Sequence, residues 1–326
     1  SNQDAPITVA RRVLAAALGC GDEPKPLGRS PKPKGPPKYN VLLITLDTTR
    51  ADRLGCYGYA KAETPALDAL AARGVRFENA FTHVPLTLPS HATILTGLLP
   101  PEHGLHDNGR GKLGPGPVTL AEVFREHGAR TAAFLASFVL DKQFGLARGF
   151  EVYDDRMSPP PQGGPNVFHQ ENPANVVSDR ALAWLRKHAK ERFFCWVHFF
   201  DPHLPYEPPE PYKSRHADPY DGEVAFMDVH VKRLLDFLDK HHLREQTLIV
   251  VCGDHGEAFG EHREYGHGPL VYETTMRVPL FLSLPTRTSP ASGESRRGTA
   301  RPSSTSGRPS SRDRGTRIFT PPWVPH

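Results

Sequence analysis

Four short runs hold residues able to act together on one substrate. Thr87 lies within Val84-Pro85-Leu86-Thr87-Leu88-Pro89-Ser90-His91-Ala92-Thr93-Ile94-Leu95-Thr96-Gly97, and Asp47 closes the apolar run Val41 to Leu46. Asp254 and His255 follow Leu248 to Gly253, and His267 stands between glycines in Tyr265-Gly266-His267-Gly268. Carboxylate oxygens and imidazoles at strand ends suit a hard or borderline divalent cation, zinc or manganese before calcium. A hydroxyl beside such a cation is an activated nucleophile. Thr87 precedes Leu88-Pro89, with Ile94 and Leu95 behind, which marks a helix start. Its hydroxyl would then sit near the positive end of the helix dipole, where an alkoxide or bound oxyanion is favoured. Ser90 is the alternative nucleophile in the run, but it falls inside that helix.

Each feature also has a plain structural reading. Asp47, ahead of Thr48-Thr49-Arg50, is equally a cap for the segment that follows, and Thr87 equally a helix N-cap. Phe200-Asp201-Pro202-His203-Leu204-Pro205 puts a carboxylate and an imidazole on a proline-stiffened loop, suited to a proton donor or substrate contact. In a chain with 17 histidines, a single one means little. Gly253-Asp254-His255-Gly256-Glu257 is the strongest local signal, because two ligand types share one turn of close backbone approach. What separates site from coincidence is the set of runs in order.

These residues need strands to bring them together. The pattern predicts strands over 40–46, 130–136, 193–199, 247–252 and 278–284. Helices are predicted over about 64–73, 88–96, 119–127, 174–190 and 222–242. Continuous apolar strands separated by helices imply a largely parallel sheet covered on both faces. Sites in such sheets gather at the carboxyl ends of the strands, where Asp47, Asp201 and Asp254 all fall. Loops 98–118 and 153–172 are expected to select the substrate.

At 326 residues and 38% hydrophobic, the chain has material for a sizeable core. The formal charge of +4 arises in residues 286–326, whose eight arginines face only Glu294 and Asp313, leaving the rest near −2. No basic stripe or binding module calls for nucleic acid. That tail, rich in Ser, Arg, Gly and Pro, is expected to be disordered, and the proline- and lysine-rich stretch before Tyr39 to be a linker, so the expected domain is 39–285. No internal repeat is visible.

Cys20, Cys56, Cys195 and Cys252 form no disulfide framework. Cys195 and Cys252 lie in strand-like runs as small core residues. Cys20 differs: Arg11-Arg12, the apolar stretch Val13 to Leu18 and Gly19-Cys20 resemble a bacterial lipoprotein signal. On that reading the protein is exported to the periplasm or cell envelope and lipid-anchored through Cys20. The alternative is an ordinary leader on a cytoplasmic protein. No segment is long and apolar enough to span a membrane as a helix.

Across about residues 39 to 284 the chain resembles the sulfatase branch of the alkaline phosphatase superfamily. The matching stretches are Asp47-Thr48-Thr49-Arg50-Ala51-Asp52, Pro89 to Gly97, Asp201-Pro202-His203, Gly253 to Glu257, and Tyr265 to Gly268 with Arg277-Val278-Pro279. The resemblance implies a three-layer αβα sandwich of the alkaline phosphatase-like type. Family members continue into a smaller C-terminal subdomain, which is expected to be missing here, with the Arg/Ser-rich tail in its place. True sulfatases carry a Cys or Ser in a C/S-x-P-x-R pattern that is oxidised to formylglycine. Here Thr87 and His91 occupy the first and last positions of that pattern, and threonine's β-methyl forbids the aldehyde.

A plain hydroxyl nucleophile is what the phosphoryl-transferring members use, including lipoteichoic acid synthases and phosphoethanolamine transferases. Their pattern implies a divalent metal held by Asp47, Thr87, Asp254 and His255, with His203 and His267 at the substrate. Thr48 replaces a second Asp that holds calcium in many sulfatases. A second metal would draw on Asp201, His203 and His267. Arg50 and Asn108 are the oxyanion contacts the pattern suggests. The implied activity is hydrolysis or transfer of phosphate or phosphonate esters of a small molecule, lipid or glycan, through a phospho-threonine. The alternatives are a sulfuric ester hydrolase without formylglycine, or an inactive truncated relative that only binds.

Overall fold

The computed structural model describes residues 38–158 and 171–285. The expectations for Cys20, the linker and the Arg/Ser-rich tail lie outside these residues. In chain order come β1 (Asn40–Leu46), α1 (Pro65–Ala72), β2 (Val75–Arg76), β3 (Ala80–Phe81) and α2 (Thr87–Thr96). Next are α3 (Leu120–Glu126), β4 (Arg130–Phe134), β5 (Val152–Asp154), α4 (Ala174–His188), β6 (Phe193–Phe199) and α5 (Pro219–Lys240). The last are β7 (Thr247–Gly253), β8 (Ala258–Phe259), β9 (Tyr265–Gly266), β10 (Arg277–Val278) and β11 (Leu280–Ser283).

The main sheet has seven strands in the order β2-β11-β7-β1-β6-β4-β5. The pairs β7–β1, β1–β6, β6–β4 and β4–β5 are parallel, and β11 runs antiparallel to β7 and β2. The central strands β1, β6 and β7 are buried at every residue, as their unbroken apolar runs required. Alternate side chains enter two cores. Leu42, Ile44 and Leu46 pack with Leu67, Leu185 and Leu234 from α1, α4 and α5. Val41 and Leu43 pack with Leu88, Leu95 and Phe124 from α2 and α3. At about 1.5–3 kcal/mol for each large apolar side chain buried, the two layers supply the main drive to fold.

Local chemistry sets the helix ends. Thr119 and Glu122 form a capping box on α3, and Asp218 accepts from Tyr220 N to cap α5 beside Pro219. Gly97, at φ 69°, ends α2 in the left-handed region.

Two expectations need correction. The strand expected over 278–284 is broken at Pro279: Arg277 and Val278 pair with β3, and only Leu280–Ser283 joins the main sheet. Proline lacks the N–H that a continuous ladder needs. Within the loop expected over 153–172, Tyr153 and Asp154 belong to β5. Residues 159–170 of that loop lie outside the described residues.

Candidate active site

Three strand ends build the floor. Leu46 pairs with both Phe199 and Gly253, so the residues that follow β1, β6 and β7 emerge together. Asp47 N donates to Phe199 O at 2.9 Å and Asp254 N to Leu46 O at 3.3 Å, which fixes both aspartates at the carboxyl edge. Beyond Asp47 the chain turns sharply, with Thr48 at φ 46°. A β-branched residue in this region costs about 1–3 kcal/mol, and the surroundings hold it there. Thr48 Oγ1 donates to Pro202 O, and Tyr220 OH donates to Thr48 O while accepting from Arg50 N. Gly253 and Gly256 are needed for close approach. A Cβ would meet Pro279 Cδ at 2.9 Å on the first and Thr274 O at 2.1 Å on the second.

Thr87 is the first residue of α2, with Leu86 as an N-cap that contributes no side-chain bond. Thr87 is thus inside the helix and not its cap. Its Oγ1, on a residue 2% exposed, lies 3.2 Å from His255 Nε2. Asn108 Oδ1 accepts from Leu88 N at 2.8 Å and so holds the helix start.

Donor and acceptor counting shows what this cluster lacks. His255 Nδ1 is 3.0 Å from Gly256 O, and a carbonyl can only accept, so the proton of the neutral ring sits on Nδ1. Nε2 therefore presents a lone pair. It lies 3.5 Å from Asp47 Oδ1 and 3.6 Å from Asp254 Oδ2. Both carboxylate oxygens of Asp47 and Oδ2 of Asp254 are buried with no hydrogen-bond partner. Burial pushes both carboxyls well above the usual carboxylate range and holds His255 well below the usual histidine range. The single Thr87 hydroxyl proton can reach His255 Nε2, which still leaves three buried carboxylate oxygens without a donor, and a divalent cation satisfies such a cluster. Asp47, Asp254 and His255 fit one, with Thr87 alongside.

Above this floor, the hairpin of β8 and β9 carries His267. Its ring lies 4.2 Å from that of His255 and 5.3 Å from that of His203. His267 Nδ1 faces Glu257 Oε1 at 3.3 Å, and Glu257 Oε2 accepts from Tyr206 OH at 3.1 Å. With Nδ1 turned to a carboxylate, Nε2 is the atom left for a substrate. His203 stacks on Phe200 at 4.0 Å, and its Nδ1 lies 2.8 Å from Leu204 O. The structure thus gathers Asp47, Thr87, His203, Asp254, His255 and His267.

Two suggested residues are engaged elsewhere. The Arg50 guanidinium makes a two-point contact with Asp52, donates to Glu261 and Glu257 O, and packs over Phe259. These bonds take four of its five donors, so most of the guanidinium clamps neighbouring loops and one donor is left. Asp201 Oδ2 accepts from Ala174 N, capping α4, and the residue lines a cavity with Glu171, Glu207, Glu210 and Glu223. Among the described residues, Asp201, His203 and His267 therefore form no metal cluster; a cap's geometry took the carboxylate.

Sequence reasoning gave no role to His198, His91 or Glu257. His198 lies on β6 directly beside Thr45 of β1, and His91 is on α2. A histidine inside a fully apolar strand was the one available sign.

A family model described as Sulfatase matches residues 39–306. An arylsulfatase of Clostridium perfringens is 25% identical over 329 residues, covering 75% of this chain and 68% of that protein. An ulvan-active sulfatase of Formosa agariphila is 27% identical over 321 residues, covering 85% of this chain and 61% of that one. A solved phosphonate monoester hydrolase of Agrobacterium radiobacter superposes with a TM-score of 0.63 at 22% identity, over 76% of this chain and 68% of that one. That likeness is one of fold. The chain spans about three fifths to two thirds of the length of its curated relatives.

Proposed function

The chain belongs to the sulfatase family, and on that premise we propose that it is a metal-dependent hydrolase or transferase of phosphate and phosphonate esters with Thr87 as nucleophile. The observation that carries this reading is the Thr87 hydroxyl at the start of α2, 3.2 Å from the lone pair of His255 Nε2. Asp47, Asp254 and His255 would hold a zinc- or manganese-type cation beside Thr87. When bound, such an ion lowers the hydroxyl pKa and neutralises charge on the ester.

The chain's own residues do the rest. Thr87, its hydroxyl proton passed to solvent, attacks phosphorus through Oγ1; the ester oxygen leaves with a proton from His267, and a phospho-threonine forms. Water or an acceptor hydroxyl then returns a proton to His267 as it attacks phosphorus and frees Thr87. The start of α2 favours the negative charge that builds there. His267 Nε2 is placed to give the leaving oxygen its proton, and His203 to hold a non-bridging oxygen. Burial and the neighbouring His203 lower His267 to about 3. An anionic ester beside it raises that value by favouring the charged ring. Substrates of this reading are small-molecule or glycan esters, and the leader resemblance adds a cell-envelope setting with Cys20 lipidated.

Sulfate esters are the second reading, favoured by the arylsulfatase and ulvan-active sulfatase likenesses. One panel separates the two: matched aryl phosphate diester, phosphate monoester, phosphonate monoester and sulfate, with zinc- or manganese-loaded protein and its Thr87→Ala variant. We expect the phosphorus esters to turn over faster than the sulfate, and the variant to lose at least about 10³-fold. Sulfate turned over fastest would overturn the phosphorus preference. Turnover retained in the variant would overturn the Thr87 mechanism, and turnover absent from folded metal-loaded protein would leave a protein that only binds.

A further inference from the structure

Beneath the nucleophile lies a second buried group, His91, His198 and Asp254, whose ligand atoms are close enough to hold another cation. Proton placement argues for a different role. His91 Nδ1 lies 2.7 Å from Thr87 O, a carbonyl that only accepts, so the ring proton is there. His91 Nε2 lies 3.0 Å from Thr45 Oγ1, which already accepts from Trp196 Nε1 at 2.9 Å. Thr45 gives its single proton to His91, and neither ring nitrogen keeps a free lone pair for a metal.

His198 carries the opposite arrangement to His255. Its Nδ1 lies 3.4 Å from Ala136 N, whose N–H can only donate, so Nδ1 holds the lone pair and Nε2 the proton. Nε2 is 3.3 Å from Asp47 Oδ2, and both residues are fully buried. A protonated nitrogen cannot ligate a cation; His198 Nε2 and Asp47 Oδ2, 3.3 Å apart, each lack a hydrogen-bond partner, and a small turn of the carboxylate would join them. The backbone at Ala136 and the ring of His91, 4.9 Å away and nearly perpendicular, hold the imidazole in this orientation.

We propose that His198 is a positioning residue: its Nε2–H orients Asp47 through Oδ2, leaves Oδ1 to the metal, and makes this a one-cation centre. The inference rests on the cation reading given above and adds a residue to it.

The test is zinc and manganese binding by the full chain, with stoichiometry from elemental analysis and affinity from competition with a chelator. It is applied to wild type, His198→Gln and His198→Leu, with the melting temperature of each metal-free protein recorded. Gln supplies an amide donor near the Nε2 position, and Leu supplies none. We expect one ion per wild-type chain, affinity weakened by about 10- to 100-fold in His198→Leu, and most of it restored in His198→Gln. Restoration by Gln is the readout that a purely packing role would not give. Two ions in wild type falling to one in both variants would make His198 a ligand and overturn the proposal. Unchanged affinity in His198→Leu, or equal loss in both variants, would overturn it while leaving the metal reading intact. No ion bound by folded wild type would overturn both.

Discussion

Asp47 and Asp254 stand side by side at the ends of adjacent parallel strands, one residue past the paired Leu46 and Gly253, both 0% exposed. Two carboxylates so placed repel one another when ionised, and burial raises the cost. The pair is therefore a poor source of stability and a good reason for a cation. Asp254→Asn should abolish tight divalent-metal binding. The same change should leave the metal-free chain as stable as wild type or more so near neutral pH, because it removes a buried carboxyl whose ionisation burial and Asp47 both oppose. Calorimetric melting with and without chelator checks both halves; a large loss of metal-free stability would contradict the account.

His267→Ala separates proton donation from binding. If His267 Nε2 protonates the leaving oxygen, the variant should lose about 10²–10⁴-fold in kcat on esters of poorly acidic alcohols. The loss should be much smaller on nitrophenyl esters, whose leaving groups need no proton. A plot of rate against leaving-group pKa that keeps the wild-type slope would remove His267 from that role.

Arg50 ties Asp52, Glu261 and Glu257 O together; burial is the largest single influence on Glu261 and raises it, but the bonds from Arg50 and the backbone together bring it down to about 2, below the usual carboxylate range. Arg50→Met should cost about 1–3 kcal/mol of stability, read as a lower melting temperature, from the bonds left unmade. KM for the ester should change little, because four of the five guanidinium donors are already held by protein groups. A KM increase of tenfold or more with unchanged stability would restore the oxyanion role.

Asp201 gives a pH signature away from the metal. Burial raises it from 3.8 to about 7, in a cavity shared with Glu171, Glu207, Glu210 and Glu223. The folded state holds this proton more tightly than the unfolded chain. Its contribution is thus complete below about pH 4, declines as pH rises and is gone above about 7. Asp201→Asn keeps an acceptor for Ala174 N and removes the charge. Its melting temperature relative to wild type should rise by a few degrees between about pH 4 and 7.5 and then level off. A difference that does not vary with pH would show that Asp201 acts only as a cap.

Much of this was legible in the chain. Unbroken apolar runs over 40–46, 193–199 and 247–252 could be satisfied only in the middle of a covered parallel sheet, and that is where β1, β6 and β7 lie. Once those strands are parallel and in register, residues directly after them must share an edge, so Asp47 and Asp254 could be placed together from pattern alone. Local chemistry likewise announced the start of α2 at Thr87, through the proline two residues on.

Tertiary structure decided everything that depends on where a proton or a lone pair points. Arg50 and Asp201 have types and positions suited to the site, yet one met Asp52 and Glu261 and the other met the N-terminus of α4. His255 and His198 are both buried imidazoles beside Asp47; the Gly253 to Glu257 run marks His255, but no pattern in the chain says which ring nitrogen of either carries the proton. The carbonyl of Gly256 puts the proton of one on Nδ1, and the amide of Ala136 puts that of the other on Nε2. Sequence fixes which side chains are present near an edge, because strand period and burial are local. Partners such as Ala136, 62 residues from His198, exist only after folding, and they determine which nitrogen faces the metal.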